Sequence, residues 1–166
     1  MSFIKNQLKQ VAQILFENVP VFQDFYVTTL LSNTKYLYVI DDKNQVVNLS
    51  DNLGNYFYTR EESAIDIEYL NRSSCNDVLK YSVNCRIVCV CRNIDAEDLM
   101  WNAALALSGQ RNIIITQVSK DKRLIFTNEW PTAEIPDIDH LTVISINFTL
   151  WGEAAKTQCL PLSCIC

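Results

Sequence analysis

Residues 81–91 indicate a β-strand, because successive side chains of a strand point to opposite faces of a sheet. One face is made of small and medium apolar residues: Val83, Cys85, Ile87, Cys89 and Cys91. The other face mixes polar and apolar residues: Ser82, Asn84, Arg86, Val88 and Val90. The pattern predicts a central strand with one face in the core and the other partly in water.

A helix is predicted over residues 96–108, directly after this strand. Asp95 is a suitable N-cap, and Gly109 is predicted to end the helix in the left-handed conformation. Its apolar residues cover most of its circumference: Leu99, Ala103, Ala106 and Leu107 on one side, Trp101 and Leu105 on another. A helix of this kind is buried on both sides. We expect the sheet on one side, and on the other either the first helix or a neighbouring subunit.

The N-terminal segment, residues 2–18, carries apolar residues at three- and four-residue steps and predicts an amphipathic helix on the sheet. Further strands are predicted at residues 25–31, 65–69, 111–118 and 123–127, with the last two forming a hairpin. A second hairpin joins residues 36–40 to 45–49, and residues 71–77 form a turn. Two segments are less regular. Residues 51–62 form either an exposed arm or a strand packed on the core, and residues 128–140 are irregular.

The closing strand, residues 140–151, has an apolar face of Thr142, Ile144, Ile146, Phe148 and Leu150. Its opposite face carries Ser145, Asn147 and Thr149. The chain is therefore predicted to be a single α+β domain, with a mostly antiparallel sheet on which the N-terminal and central helices pack. We place that domain at residues 1–152, followed by a cysteine-rich tail at residues 153–166.

The composition of the chain disfavours several classes of function. The 166 residues have a net charge of −5 and no basic block, which disfavours direct nucleic-acid binding. The three glycines are isolated, so no phosphate-binding loop is indicated. We expect no membrane span, because no apolar run approaches ~20 residues, and no secretory signal. Seven cysteines without such a signal favour free thiols in a reducing cytoplasm.

Candidate chemistry is sparse, and we assign no catalytic, cofactor-binding or metal residue. Three cysteines of the central strand, Cys85, Cys89 and Cys91, are interpreted as core residues. The alternative to a structural role is a small cytoplasmic thiol- or zinc-dependent protein. Its candidate ligands are Cys159, Cys164 and Cys166, joined by Cys75 or His140, although paired zinc-site spacing is missing. Weaker candidates are a Cys–His pair with His140 and a divalent-cation site at Asp137 and Asp139. The acidic pairs Asp41–Asp42 and Glu61–Glu62 are interpreted as solvated turns.

The order of these elements resembles that of the tail-terminator and neck-ring (tail-completion) proteins of tailed bacteriophages. Three stretches carry the resemblance: residues 65–69 (Ile-Asp-Ile-Glu-Tyr), residues 95–107, and the closing strand from Asp139. It extends over residues 3–151, by topology more than by identity. The composition, rich in asparagine and poor in glycine, is compatible with a crAss-like phage.

The resemblance implies a non-enzymatic virion protein, assembled in the host cytoplasm. Copies would form a homo-oligomeric ring, six- or twelve-fold, at the head–tail junction, joined edge to edge. Neighbouring neck or tail proteins would be partners, and DNA would pass through the channel with passive contact only. The basic residues are dispersed, so no channel-lining patch is assigned. The cysteine-rich tail matches nothing in that family.

Overall fold

A computed structural model describes residues 2–51, 53–69 and 78–155 of the chain. Its helices are α1 (Phe3–Asn18), α2 (Ala96–Ser108) and α3 (Lys122–Glu129). Its strands are β1 (Asp24–Val27), β2 (Thr29–Leu31), β3 (Tyr38–Ile40), β4 (Val46–Asn48), β5 (Tyr56–Glu61), β6 (Asp66–Tyr69), β7 (Val78–Cys91), β8 (Ile113–Ser119) and β9 (Thr142–Ala155). A single 3-10 turn, Leu49–Asp51, follows β4.

Two long antiparallel strands, β7 and β9, form the centre of the molecule and pair along all 14 residues of each. The larger sheet has the order β1-β5-β7-β9-β8, and β6 pairs with β7 beyond the end of β5. Only β1 runs parallel to its neighbour. A smaller antiparallel sheet has the order β2-β3-β4. The chain is thus a single α+β domain with a mostly antiparallel sheet, as predicted.

One face of the large sheet is covered by α1 and α2. The side chain of Ser2 accepts a hydrogen bond from the N–H of Lys5 and caps α1, whose apolar residues Leu8 and Leu15 are buried. The side chain of Asp95 caps α2 in the same way, by accepting from the N–H of Glu97. These helices bury the predicted apolar faces of β7 and β9 in one core.

The opposite face of the large sheet is covered over part of its length and is partly in water, as predicted: Asn84 is exposed, and Ser82 and Arg86 are partly exposed. The β2-β3-β4 sheet, α3 and the loop after it pack there in a second core, where Val88 and Val90 are fully buried. Tyr56 and Tyr58 join this core while Phe57 faces the first one. Of the two alternatives for residues 51–62, the strand packed on the core is therefore confirmed.

Residues 123–127 lie within helix α3, so the predicted strand and hairpin are wrong. The side chain of Asp121 accepts a hydrogen bond from the N–H of Leu124 and starts the helix. The buried positions Ile125, Phe126 and Glu129 follow helical spacing. A short apolar run does not distinguish a strand from a helix, and the capping aspartate was the signal that decides between them.

Three smaller predictions also differ from the structure. Gly109 ends α2 in the right-handed conformation, with φ −69° and ψ −10°. Strand β6 forms as predicted. The alternation of Ile65 and Ile67 with Asp66 and Glu68 predicts a half-buried strand, but both isoleucines are exposed. Phe3, in the first turn of α1, contacts Tyr81 of β7. Ile67 is the partner of Tyr81 on the next strand outward, so it lies beyond the part of the sheet that α1 covers. The closing strand starts at Thr142 and ends at Ala155, so both of its ends lie later in the chain than predicted. The predicted turn at residues 71–77 lies outside the described residues.

Candidate functional site

The cysteines of β7 are core residues, as interpreted from the sequence. Cys85, Cys89 and Cys91 are fully buried among the residues of the first core. Burial raises the pKa of the Cys85 and Cys91 thiols to about 12 and that of Cys89 well above its ordinary value. A neutral buried thiol is a poor nucleophile and a poor metal ligand. The geometry therefore gives these three cysteines a packing role.

The other predicted ligands do not converge in the part of the chain that is described. His140 is exposed in the loop before β9, and the candidate ligands of the tail and Cys75 lie outside the described residues. Asp137 and Asp139 are exposed, and the side chain of Asp137 accepts a hydrogen bond from the N–H of Asp139 at 3.0 Å, which makes a local turn. Across residues 2–51, 53–69 and 78–155, no three histidine, cysteine or acidic side chains group as a metal site would require.

A buried cluster of charged residues lies between α3 and the large sheet. At its centre is Glu129, the last residue of α3, whose side chain is 0 % exposed. Arg60 of β5 donates to both of its carboxylate oxygens, at 2.9 and 2.6 Å, and Arg86 of β7 donates to one at 2.6 Å. The Tyr58 hydroxyl donates at 3.0 Å. Glu62 lies 2.7 Å from Arg86, so two arginines face two glutamates in a neutral cluster.

Opposing influences act on the pKa values in this cluster. Desolvation is the largest influence on Glu129 and raises its pKa, but the hydrogen bonds and charges of Arg60 and Arg86 together outweigh it, so the pKa is lowered. Desolvation likewise lowers the pKa of Arg60, and the contacts with Glu129 more than offset this. Burial and the Glu129 carboxylate raise the pKa of Tyr58. All five groups of the cluster have a partner within it, so the cluster holds α3 against the sheet and leaves no group of the cluster poised for proton transfer.

An apolar ridge runs along the outside of α2. Trp101 is 60 % exposed and Leu105 is 66 % exposed, while Leu99, Ala103 and Leu107 are fully buried on the sheet side. Residues four apart are neighbours on a helix surface, so the two exposed side chains form one continuous feature opposite the buried face. We call Trp101 and Leu105 the α2 ridge. The sequence predicted this second apolar face, and none of the described residues covers it.

A second apolar surface lies on the β2-β3-β4 sheet; Val46 is exposed there, and Leu31, Tyr38 and Ile40 are half-buried. Val39 faces the core, and its cross-strand partners Leu30 and Val47 pack there with it. The alternate positions must point outward. These outward positions are mostly apolar: Leu31, Tyr38, Ile40 and Val46, with Thr29 and Asn48 beside them. We call these six residues the small-sheet outer face. The sequence predicted the hairpin but not this outer face.

The large sheet also ends in unpaired strands. β8 is the last strand on one side, and its outer edge has no strand partner within the described ranges. Ile114 on β8 is exposed. A free edge with exposed isoleucine is a template for pairing with another chain. The α2 ridge, the small-sheet outer face and the β8 edge are three exposed or partly exposed apolar features of the described residues.

Comparison with known proteins identifies no relative. No protein-family model matches the chain, and no curated protein is significantly similar to it in sequence. Among the described residues, no helix has the length and apolar character needed to cross a membrane.

Proposed function

We propose that the protein is a non-catalytic structural subunit of a homo-oligomeric ring, built into a phage virion at the head–tail junction as a tail terminator or neck ring. The observation that carries the proposal is the α2 ridge. It exposes the largest apolar side chain of its helix, Trp101, on the side opposite a fully buried face. Tryptophan is enriched in protein–protein interfaces relative to the rest of the surface, so we infer that this side of α2 is an interaction site.

The ridge supplies part of the area that a contact between subunits needs, which is about 800 Å² per partner. Trp101, 60 % exposed, and Leu105, 66 % exposed, together offer about 250 Å² of apolar surface. At about 25 cal/mol per Å² its burial is worth about 6 kcal/mol before the cost of association is subtracted. This suits a contact repeated around a ring, where each copy is held by two neighbours.

The ring position and its partners follow from the resemblance described above. Six or twelve copies would join edge to edge, with adjoining neck or tail proteins above and below, and assembly would take place in the host cytoplasm before incorporation in the virion. The free edge of β8 supports edge-to-edge contact. With a net charge of −5, passive rather than adhesive contact with DNA is expected in the channel.

The experiment compares two substitutions at adjacent exposed positions of α2. Trp101→Asp and Asn102→Asp each introduce one carboxylate into the same turn, but only the first removes part of the ridge. We expect native mass spectrometry and electron microscopy to show rings for the wild type and the Asn102 variant. The Trp101 variant should be a folded monomer by circular dichroism, because the side chain it loses is exposed.

Two results would count against the proposal. If Trp101→Asp unfolds like Leu99→Asp, which places a charge at a fully buried position, the ridge is part of the monomer core. Absence of the protein from purified virions would refute the structural role itself. A monomeric preparation alone would not, since a ring subunit can close only on its template.

A further inference from the structure

We propose that a cleft between α3 and the strands β8 and β9 binds a small oxyanion, either a phosphate or a carboxylate group. The cleft has a volume of about 110 Å³, and its polar lining consists of Arg86, Gln117, Ser119, Asn128, Ser145 and Asn147. This volume accommodates one small group or a few waters. The cleft lies on the opposite side of the large sheet from the α2 ridge, so its ligand and the proposed ring are separate properties.

The register of the large sheet brings the polar side chains of the cleft together. Asn147 of β9 lies opposite Gln117 on β8 and opposite Arg86 on β7. Two residues earlier on β9, Ser145 lies opposite Ser119 on β8. Opposite residues have Cβ atoms about 5 Å apart, and positions two apart on a strand lie ~7 Å from each other. The four side chains of β8 and β9 therefore surround a small patch of the sheet, and α3 forms the wall beside it.

A β-bulge in β8 supplies two of these side chains. The pairing of β8 with β9 skips one residue, Thr116, between Ile115 and Gln117. The Thr116 hydroxyl donates to the backbone carbonyl of Asn147 at 3.1 Å. Without the extra residue, the alternation of the strand would turn Gln117 and Ser119 away from the cleft. The bulge therefore adds an amide and a hydroxyl to its lining.

The hydroxyl of Ser145 indicates that the cleft holds a ligand. Ser145 is only 6 % exposed, and no hydrogen bond joins its hydroxyl to any described residue. Buried polar groups are nearly always hydrogen-bonded, and this side chain lines the cleft. A group bound in the cleft would supply the missing partner.

The groups around the cleft are better suited to donate hydrogen bonds than to accept them. The Oδ1 atom of Asn147 already accepts from the Nε of Arg86 at 2.9 Å, so the NH₂ group of this amide is left to donate. The Arg86 guanidinium also contacts Glu129 and Glu62, and it still has further N–H groups. No carboxylate of the described residues lines the cleft. A lining rich in donors matches a ligand group that only accepts, which is a carboxylate or a phosphate.

Binding should be weak but selective for oxyanions. The charge of Arg86 is balanced by Glu62 and Glu129, so directed hydrogen bonds rather than net charge must hold the ligand. We therefore expect a dissociation constant in the millimolar range. Chloride should compete poorly, because it does not present several oxygen acceptors in a fixed geometry.

The test titrates the 166-residue chain with inorganic phosphate and, separately, with acetate, against sodium chloride at equal ionic strength. In amide NMR spectra, we expect saturable shifts at Ser119, Ser145 and Asn147, and the tighter of the two anions identifies the preferred group. Ser145→Ala should weaken binding about tenfold, the effect of one hydrogen bond to a charged group. It should not lower the thermal midpoint in chloride, because the hydroxyl has no partner among the described residues. Ser82→Ala, on the same sheet face but outside the cleft, should bind as the wild type does.

Four results would overturn the inference. The absence of saturable shifts with either anion would mean that water alone fills the cleft. Equal shifts with chloride would remove the selectivity for oxyanions. Unchanged binding by Ser145→Ala would place the anion elsewhere, and a lower midpoint of this variant in chloride would mean that its hydroxyl has a partner in the empty cleft. None of these results bears on the proposed ring, which Trp101→Asp tests.

Discussion

Removing the charge of Glu129 should destabilise the fold far more than removing any exposed carboxylate. Glu129→Gln keeps the shape of the side chain but leaves Arg60 and Arg86, 14 % and 18 % exposed, with only Glu62 as a counter-charge. Breaking a buried ion pair costs about 3–5 kcal/mol. Because Glu62 still lies 2.7 Å from Arg86 and both arginines reach some solvent, we expect about 3 kcal/mol. The total stability of a domain is only about 5–15 kcal/mol.

Urea unfolding followed by circular dichroism measures this loss. The matched control is Glu134→Gln, which removes a carboxylate that is 74 % exposed and 3.5 Å from Lys35. An exposed pair of this kind contributes at most about 1 kcal/mol. If Glu129→Gln lowered the unfolding free energy by less than about 1 kcal/mol, as the control does, the reasoning that the cluster stabilises the packing of α3 on the sheet would be refuted.

The stability difference between the wild type and Glu129→Gln should depend on pH, in a direction set by the pKa of Glu129. The pKa of Glu129 is lowered from its ordinary value of 4.5 in the folded chain, so its contribution to stability is complete above about pH 4.5. As the pH falls below that value, the unfolded chain gains its proton first and the contribution is progressively lost. The difference in unfolding free energy between wild type and Glu129→Gln should therefore be constant near neutral pH and shrink in acid. A difference that stays constant down to the acid transition would contradict this.

The remaining predictions concern two glycines and the three buried cysteines of β7. Gly109→Ala should stabilise the protein by about 0.4–1 kcal/mol in urea unfolding, because its backbone is right-handed and an added Cβ meets nothing closer than 3.9 Å. Gly152→Ala should instead lower the unfolding free energy by about 1–3 kcal/mol, because the Cβ would lie 2.6 Å from the buried Tyr81 hydroxyl oxygen. Equal effects of the two substitutions would contradict this difference in the space around the two glycines. Brief iodoacetamide labelling with peptide mapping should leave Cys85, Cys89 and Cys91 unmodified until the protein is unfolded, because their pKa values are raised by burial. Rapid labelling of Cys89 in the folded chain would contradict its burial.

Sequence reasoning succeeded where periodicity and caps agreed. The first helix, the central strand, the central helix and the closing strand each combine a long regular apolar pattern with a clear start, and all four are present. It failed for α3, where the apolar run Leu124-Ile125-Phe126 is too short to show its period and the capping role of Asp121 was the only local signal.

The buried charge cluster could not be found from local patterns. Glu129 stands 69 positions from Arg60 and 43 from Arg86 in the chain, so nothing near it shows that a glutamate at the end of a helix will be buried. A carboxylate there opposes the helix dipole and is stable only because two arginines from other strands face it. Val88 and Val90, on the face predicted to be partly in water, were the available sign that a second layer covers this part of the sheet.

Each layer that covers the large sheet has an inner apolar side, which is buried, and an outer apolar side, which is exposed. We expect the inner side to determine the stability of the monomer and the outer side to determine its association. On α2, Leu99 is buried under the helix and Trp101 is exposed above it; on the small sheet, Val39 is buried and Val46 is exposed. Substitution of an inner residue removes contacts within the monomer and must lower its unfolding free energy. Substitution of an outer residue removes surface that no described residue contacts closely, so the monomer should keep its stability while association is lost. The periodicity of α2 predicted that both of its sides are apolar. The structure adds that α1 packs beside α2 on the first core and not over its outer side. The outer side, with Trp101 and Leu105, is therefore the one available to a second chain.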